Sequence, residues 1–341
     1  MTAAAITVLS SNCGFPLIES PVDILERSIH YTWTDRSRTT RRRMTLEKLP
    51  PQPRKPRIAI AGATGRVGSA LTSLLAADPV DVVALSRRPG QAQLPDGVAA
   101  VAVDFDNAPH TLVAALTGAD RLFIAQGTSP RQVANEIALI DAAVAAGVGH
   151  IVKLSAMGPA TRLNPLAWHM EIEAHLARQP VASTALRPSA FADVFNRFAE
   201  PIATGSWAGA AGNGRINFID TRDVAKAAHS ALLEDVEPQS QRAYHLTGPR
   251  AWTMPQIADE LSRLLGRRVD YQHRSPDEQS AALLAAGLAP FVVDLLVGLD
   301  QMFRDSVLAE TTSTFEELTG EAPRPFTAWL AENAELFHKQ A

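Results

Sequence analysis

The chain predicts a doubly wound α/β fold, a parallel sheet covered by helices on both faces. Two observations carry this. From residue 57 onward, short apolar runs suited to strands alternate with segments of helical period, and the first strand and helix are joined by "GATGRVG". Parallel strands need crossovers, and each crossover lays a helix over the sheet.

The elements follow in order. "RIAIAG" is a short run fit for a strand buried on both faces, and Val67, Leu71, Leu74 and Leu75 after it keep helical spacing. "VDVVALS" and "VAAVAVD" are the next strands, followed by a helix near 108–116 and the strand "ADRLFIA". A helix over 130–146 places Val133, Ile137, Ile140 and Val144 on one apolar stripe, with Gly147 as its stop signal. "HIVKLSA" and "STALRP" supply two further strands.

Past residue 187 the pattern loosens, as expected where a small C-terminal α+β portion covers a substrate. "GSWAGAAGNGRINF" suits either a mobile loop over a pocket or a surface turn. Asp223 reads as an N-cap or first-turn acid of a helix over 224–233. "TMPQIADELSRLLG" carries an N-cap threonine and a first-turn proline, with Ile257, Leu261, Leu264 and Leu265 facing inward before Gly266. "RVDYQHRS" adds a strand, two apolar helices follow near 278–286 and 291–303, and a last helix spans 326–337. Leu295, Leu296, Leu299, Met302 and Phe303 read as core, with a pocket roof or a dimer contact as the alternatives. The predicted organisation is a flexible basic extension over 1–56, a nucleotide-binding core over 57–190, and a substrate-covering portion over 191–341 interleaved with the last core elements.

Composition agrees with a globular protein. The chain has 341 residues, 46% hydrophobic and 20% charged, enough for one large domain or two modest ones. Its longest apolar run, Ala281 to Val293, is interrupted by Gly287 and Pro290 and falls short of the roughly 20 residues a membrane span needs. A lone Cys13 rules out an internal disulfide framework and fits a reducing compartment, read as the cytoplasm. "AAAITVL" near the start has no preceding Lys or Arg and no convincing cleavage site after it, so no secretory signal is read. Residues 1–57 hold ten Lys and Arg against five Asp and Glu, so within a total of -4 the remainder carries about -9. "RSRTTRRR" and "PPQPRKP" show no hydrophobic period and read as a flexible leader, with a phosphate-binding arm as the functional alternative. Met44 is a plausible alternative start.

The glycines define the first candidate site. Gly62 can turn the chain sharply at the strand's end, Gly65 can admit a ligand's phosphates to the main chain, and Gly68 can bring the helix close to the sheet. The helix start, from Thr64 through Arg66 and Val67, then offers unpaired N–H groups to a pyrophosphate. A dinucleotide is the predicted occupant. At the end of the second strand, "ALSRRPG" holds Arg87 and Arg88 where a free 2'-hydroxyl would call for a carboxylate, so NADP(H) is predicted over NAD(H). The alternative is a solvated arginine pair.

"GATGRVG", "VDFDN", "VKLSAMG", "LRPSAF" and "FIDTRDVAKAAHSAL" together resemble the NmrA-like family of atypical short-chain dehydrogenase/reductases over about residues 57–340. The resemblance implies a Rossmann domain with Asp104 and Phe105 beside the adenine, Ala125, Gln126 and Gly127 along the cofactor, and Ser155 near the nicotinamide. It departs from the wider superfamily where a Tyr-x-x-x-Lys pair would pass a proton. Trp168 stands thirteen residues beyond Ser155, and "WHMEIEAHL" contains neither Tyr nor Lys.

Two functions remain open on the sequence. One is a reductase of a small organic acceptor that needs little help with protonation, a quinone, an activated alkene or an iminium, with Ser155 bonding the acceptor oxygen and His169 as acid. The other is a non-catalytic NADP(H) sensor that reports redox state to a partner. His169 and His175, with Glu171 and Glu173, otherwise read as a solvated helix face; His169 and Glu173 have metal-ligand spacing but no evident third ligand. The role of Lys153 is left open, and no nucleic-acid or membrane partner is predicted.

Overall fold

The computed structural model describes residues 54–105, 110–158 and 166–338. The expectations for the leader, including Cys13 and Met44, lie outside these residues. From Lys55 onward the chain forms one compact unit, and among the described residues no helix is long and apolar enough to cross a membrane.

Seven parallel strands make the main sheet: β1 (Arg57–Ala61), β2 (Asp81–Ser86), β3 (Ala99–Ala102), β4 (Arg121–Ile124), β5 (His150–Leu154), β6 (Ala182–Pro188) and β10 (Gln241–Leu246). Their order across the sheet is β10-β6-β5-β4-β1-β2-β3. Helices α1 (Arg66–Leu75) and α6 (Thr221–Leu233) cover one face and bury Leu71, Leu75, Val224 and Leu232 against Ile58, Ile60 and Val152. Helices α2 (Thr111–Leu116), α3 (Gln132–Ala145) and α4 (Leu166–Leu176) cover the other, with Leu116, Ile140 and Ile172 against Ala59, Leu122 and Ile151. Along β1, Ile58 and Ile60 face the first helical layer while Ala59 and Ala61 face the second, the two-residue period of a sheet buried on both sides.

The strand order reverses beside β1, which has β2 on one flank and β4 on the other. In open α/β sheets the carboxyl edge at such a point is where ligands bind. Two close approaches shape that edge here. Gly62 has φ +96°, and a Cβ on it would stand 2.0 Å from the Ala125 carbonyl oxygen; a Cβ on Gly68 would stand 2.0 Å from the Gly62 oxygen. The turn after β1 is thus wedged between β4 and α1 with no space for a side chain at either glycine.

Most of the remaining elements build a second region. Strand β7 (Ala190–Phe191) pairs with β9 (Ile216–Ile219), which also pairs with β11 (Ala251–Trp252); β8 (Ser206–Gly209) pairs with β12 (Asp270–His273). Helices α5 (Ala199–Thr204), α7 (Met254–Leu265), α8 (Pro276–Ala285), α9 (Pro290–Arg304), α10 (Thr314–Thr319) and α11 (Phe326–Glu332) complete the chain. An aromatic cluster of Phe195, Trp207, Phe218, Trp252, Phe326 and Trp329 forms the centre of this region. Strand β10 and helix α6 return to the main sheet, so the later half of the chain is interleaved with the core.

Several local expectations need correction. Of the stripe expected on α3, Ile140 is fully buried and Val133 and Val144 pack partly buried against the same core, but the most buried side also takes in Leu139, Ala143 and two polar side chains, Gln132 and Glu136. Residues 205–218 are neither a mobile loop nor a surface turn: Trp207, Ala210 and Ala211 are buried, and the Ala210 carbonyl accepts from Arg304. Helix α6 begins at Thr221, three residues before its expected start, with Asp220 as its cap; Asp223 is the first-turn acid, one of its two expected places, and accepts from the Arg324 backbone and guanidinium. The helix expected over 326–337 ends at Glu332, with a short 3-10 turn after it. Thr253 and Gln256 form a full capping box on α7, as expected.

Substituting Gly68→Ala is expected to lower the thermal midpoint, with a cost of about 1–3 kcal/mol typical of an overpacked contact, because the obstacle is backbone and cannot swing aside. A melting curve unchanged from the parent protein would refute the wedged turn.

Candidate active site

A cleft of about 540 Å³ opens at the carboxyl edge of the sheet, lined by Gly62, Thr64, Gly65, Ser86, Arg87, Arg88, Phe105, Gln126, Gly127 and Asn135, among others. Its floor is the start of α1. That helix has Gly65 as its N-cap with no side-chain cap and no acidic residue in the first turn, so its leading N–H groups and positive dipole end face the cleft without an internal anion. Gly65 itself has φ -78°, and the only atom near a Cβ placed on it would be the Gly62 oxygen at 3.2 Å. That contact is tight and its obstacle is backbone, so packing also favours glycine here, and the bare main chain lies open to the cleft.

Arg87 and Arg88 follow β2 and are exposed at the rim. Among the described residues neither is tied into an ion pair, which leaves two cationic groups for a phosphate. The donor set as a whole, a helix N-terminus with two arginines at its mouth and a phenyl ring from Phe105, suits a phosphorylated dinucleotide.

The predicted cofactor residues do not all reach the cleft. Val67 and Gly68 belong to the packed side of α1. Arg66 instead approaches Asp193 at 3.9 Å. Asp104 uses its backbone N–H to donate to Thr111 Oγ1 at 3.4 Å, while its neighbours Val103 and Phe105 line the cleft. Ser86, Gln91, Thr128, Ser129 and Asn135 line it without having been predicted. "GTSP" after β4 carried a loop signal that could have pointed to Thr128 and Ser129; Asn135 has no signal short of the docked helix.

Beside this cleft lies a charged wall. Strand register pairs Ile124 of β4 with Lys153 of β5, so Ala125 to Gly127 and Leu154 to Ser155 leave the sheet side by side. Lys153 is fully buried. Its Nζ lies 2.8 Å from Glu136 Oε2 and 3.1 Å from His169 Nδ1 and also donates to the Leu154 carbonyl. Glu136, equally buried, accepts from Gln132 Nε2 at 3.0 Å. Burial, reinforced by the Lys153 ammonium, pushes the His169 imidazole down to about 3.

Ser155, two residues on, donates to Glu173 Oε1 of α4. Arg187 of β6 grips the same carboxylate, with Nε 3.1 Å from each oxygen and Nη2 2.5 Å from Oε2. That hydrogen bond to Glu173 holds the Arg187 guanidinium above its usual range.

These contacts revise both predicted catalytic roles. His169 is not on a solvated face and is a poor acid near neutral pH, since it is already neutral there. Ser155 has its proton committed to an ion-paired carboxylate, so toward a ligand it offers oxygen lone pairs rather than a hydrogen. Glu173 is also drawn inward, whereas Glu171 remains exposed and His175 pairs with Asp141 at 2.6 Å.

The NmrA-like family model matches residues 54–298. The chain belongs to the NmrA-like family. It is 30% identical over 285 residues to an NAD(P)H azoreductase of Xenophilus azovorans, spanning 82% of this chain and 99% of that protein. Its fold matches the Escherichia coli NADPH-dependent quinone oxidoreductase QOR2 complexed with NADPH, with TM-score 0.74 and 30% identity over 81% of this chain and 99% of that one. It also matches a Citrobacter sp. triphenylmethane reductase, with TM-score 0.73 and 25% identity over 82% of this chain and 99% of that one. This NmrA-like chain thus shares a reductase fold along nearly the full length of each.

In equilibrium titrations, Arg87→Ala is expected to weaken NADPH binding by roughly 10-fold or more, the scale of one charge-assisted hydrogen bond, with little change for NADH. Equal affinity of parent and variant for NADPH would remove the 2'-phosphate role.

Proposed function

We propose that the chain is an NAD(P)H-dependent oxidoreductase that reduces a conjugated, electrophilic organic acceptor without a side-chain proton donor. The observation that carries this reading is the Ser155–Glu173–Arg187 assembly. It commits the Ser155 proton to an ion-paired carboxylate, which supports a site that gives no proton to its acceptor. Helix α4 offers no Tyr or Lys in its place, and His169 is neutral.

An acceptor suited to such a site must form a stabilised product on gaining hydride. A quinone does so, since negative charge on the first-formed product is delocalised and water can supply the proton that completes the quinol. An azo or cationic dye is equally suitable, and such compounds appear in the names of the azoreductase and triphenylmethane reductase relatives. A bound NADPH supplies the hydride. The chain's own parts hold its phosphates at α1, distinguish its 2'-phosphate through Arg87 and Arg88, and keep Ser155 and Glu173 in a fixed pose beside the reacting end.

NADPH oxidation followed with a panel of acceptors tests the proposal. Turnover is expected with benzoquinones, naphthoquinones and azo or triphenylmethane dyes, and rates at least about 100-fold lower are expected with unactivated ketones, the scale of a missing general acid. Comparable rates on both classes would defeat it, as would tight NADPH binding with no turnover on any acceptor.

A further inference from the structure

His169 lies in the first turn of α4, and its contact with Lys153, the penultimate residue of β5, places it near the carboxyl end of that strand. An imidazole held neutral has one ring nitrogen that donates and one that accepts. The protonated nitrogen is set by the partner of the other. Here the partner is an ammonium, which has only hydrogens to give. Lys153 Nζ meets Nδ1 at 3.1 Å, so Nδ1 must accept and the ring proton resides on Nε2. Among the described residues Nε2 has no hydrogen-bond partner, and it is not among the atoms sealed from solvent.

The lysine has little freedom to release that nitrogen. Its ammonium is enclosed by Glu136 of α3, the Leu154 carbonyl and the imidazole. Glu136 is held in turn by Gln132. The other charged groups near His169 are Glu173, one turn along α4, and Arg187 of β6, which neutralise each other through a two-pronged contact. No described carboxylate contacts the imidazole itself, so nothing draws a second proton onto it.

From this geometry we infer that His169 presents a permanent Nε2–H hydrogen-bond donor to the acceptor's oxygen or nitrogen, with Lys153 and Glu136 as the positioning residues that fix its tautomer. The inference rests on the reductase reading for what the donor meets, and it assigns the class of contact: a neutral donor that stabilises developing negative charge and keeps its own proton. Such a donor complements the absent acid. It lowers the barrier for hydride addition to a quinone or azo group, while the completing proton still comes from water.

The test has one arm that needs no turnover. Long-range 1H–15N correlation spectra of the full-length protein, with the His169 signals identified by their loss in His169→Gln, are expected to show Nδ1 unprotonated and Nε2 protonated from pH 5 to 9. A protonated Nδ1, or a His169 titration within that range, would overturn the inference whether or not the protein reduces quinones. In the double variant Lys153→Met/Glu136→Gln, which removes both buried charges together, the tautomer preference should relax and the imidazole titration should rise. An unchanged spectrum there would show that Lys153 does not set the tautomer. In the kinetic arm, His169→Phe should lower kcat with a benzoquinone by roughly 100-fold, the scale of one lost oxyanion donor, with KM for NADPH little changed. His169→Gln, which keeps an N–H, should recover most of that loss. Parent-like kcat in His169→Phe, or equal losses in Phe and Gln variants, would overturn the contact.

Discussion

A single buried cation organises the wall beside the cleft. Lys153 sits in the middle of a parallel sheet, where an ammonium without partners costs several kcal/mol after relaxation. The structure answers by turning two polar side chains of α3 inward and setting an imidazole of α4 against the same nitrogen. Strand β5 and helices α3 and α4 are thereby tied together at one buried point, beside the His175–Asp141 and Ser155–Glu173 contacts. Removing Lys153 or Glu136 alone would strand the other's buried charge, so these two are needed together.

The cleft is electrostatically divided. At the α1 end, a helix N-terminus and two exposed arginines favour anions. In the wall around β5, charges are cancelled in pairs: Lys153 by Glu136, and Glu173 by Arg187. A phosphorylated cofactor finds its attraction at the α1 end, while the two ion pairs around β5 add no net charge beside the cleft. This division suits a reaction in which charge develops on the acceptor and is dispersed by conjugation.

The later part of the chain packs apolar groups against Gly158 and against α4. A Cβ on Gly158, just past β5, would lie 3.4 Å from the Met302 methyl of α9, so α9 packs close to the loop that leaves β5. Trp168 of α4 stacks on Phe291 at the start of α9, with centroids 6.1 Å apart and planes 18° from parallel. Helix α8 buries only Gln279, and Phe291 and Val292 are largely exposed. These helices are held by fewer buried contacts than the core, a feature of elements with low local stability.

Periodicity and punctuation made much of this legible from sequence. Alternating strand and helix signals specified the doubly wound sheet, and the tight turn after β1 was readable because the close approaches at Gly62 and Gly68 leave no room for a side chain. The Thr253 cap and the Gly266 stop of α7 were equally local and equally readable. The limits lay where burial contradicted residue type. Gln132, Glu136 and His169 look like surface residues one at a time, and only a lysine on a neighbouring strand makes their interior places favourable. Ser155 read as a donor because its sequence context names a strand end but not the carboxylate eighteen positions away that takes its proton. Backbone preferences and apolar period act through a few neighbouring residues and so are written locally. Protonation and hydrogen-bond direction are set by partners brought together across strands and helices, and only the folded arrangement decides them.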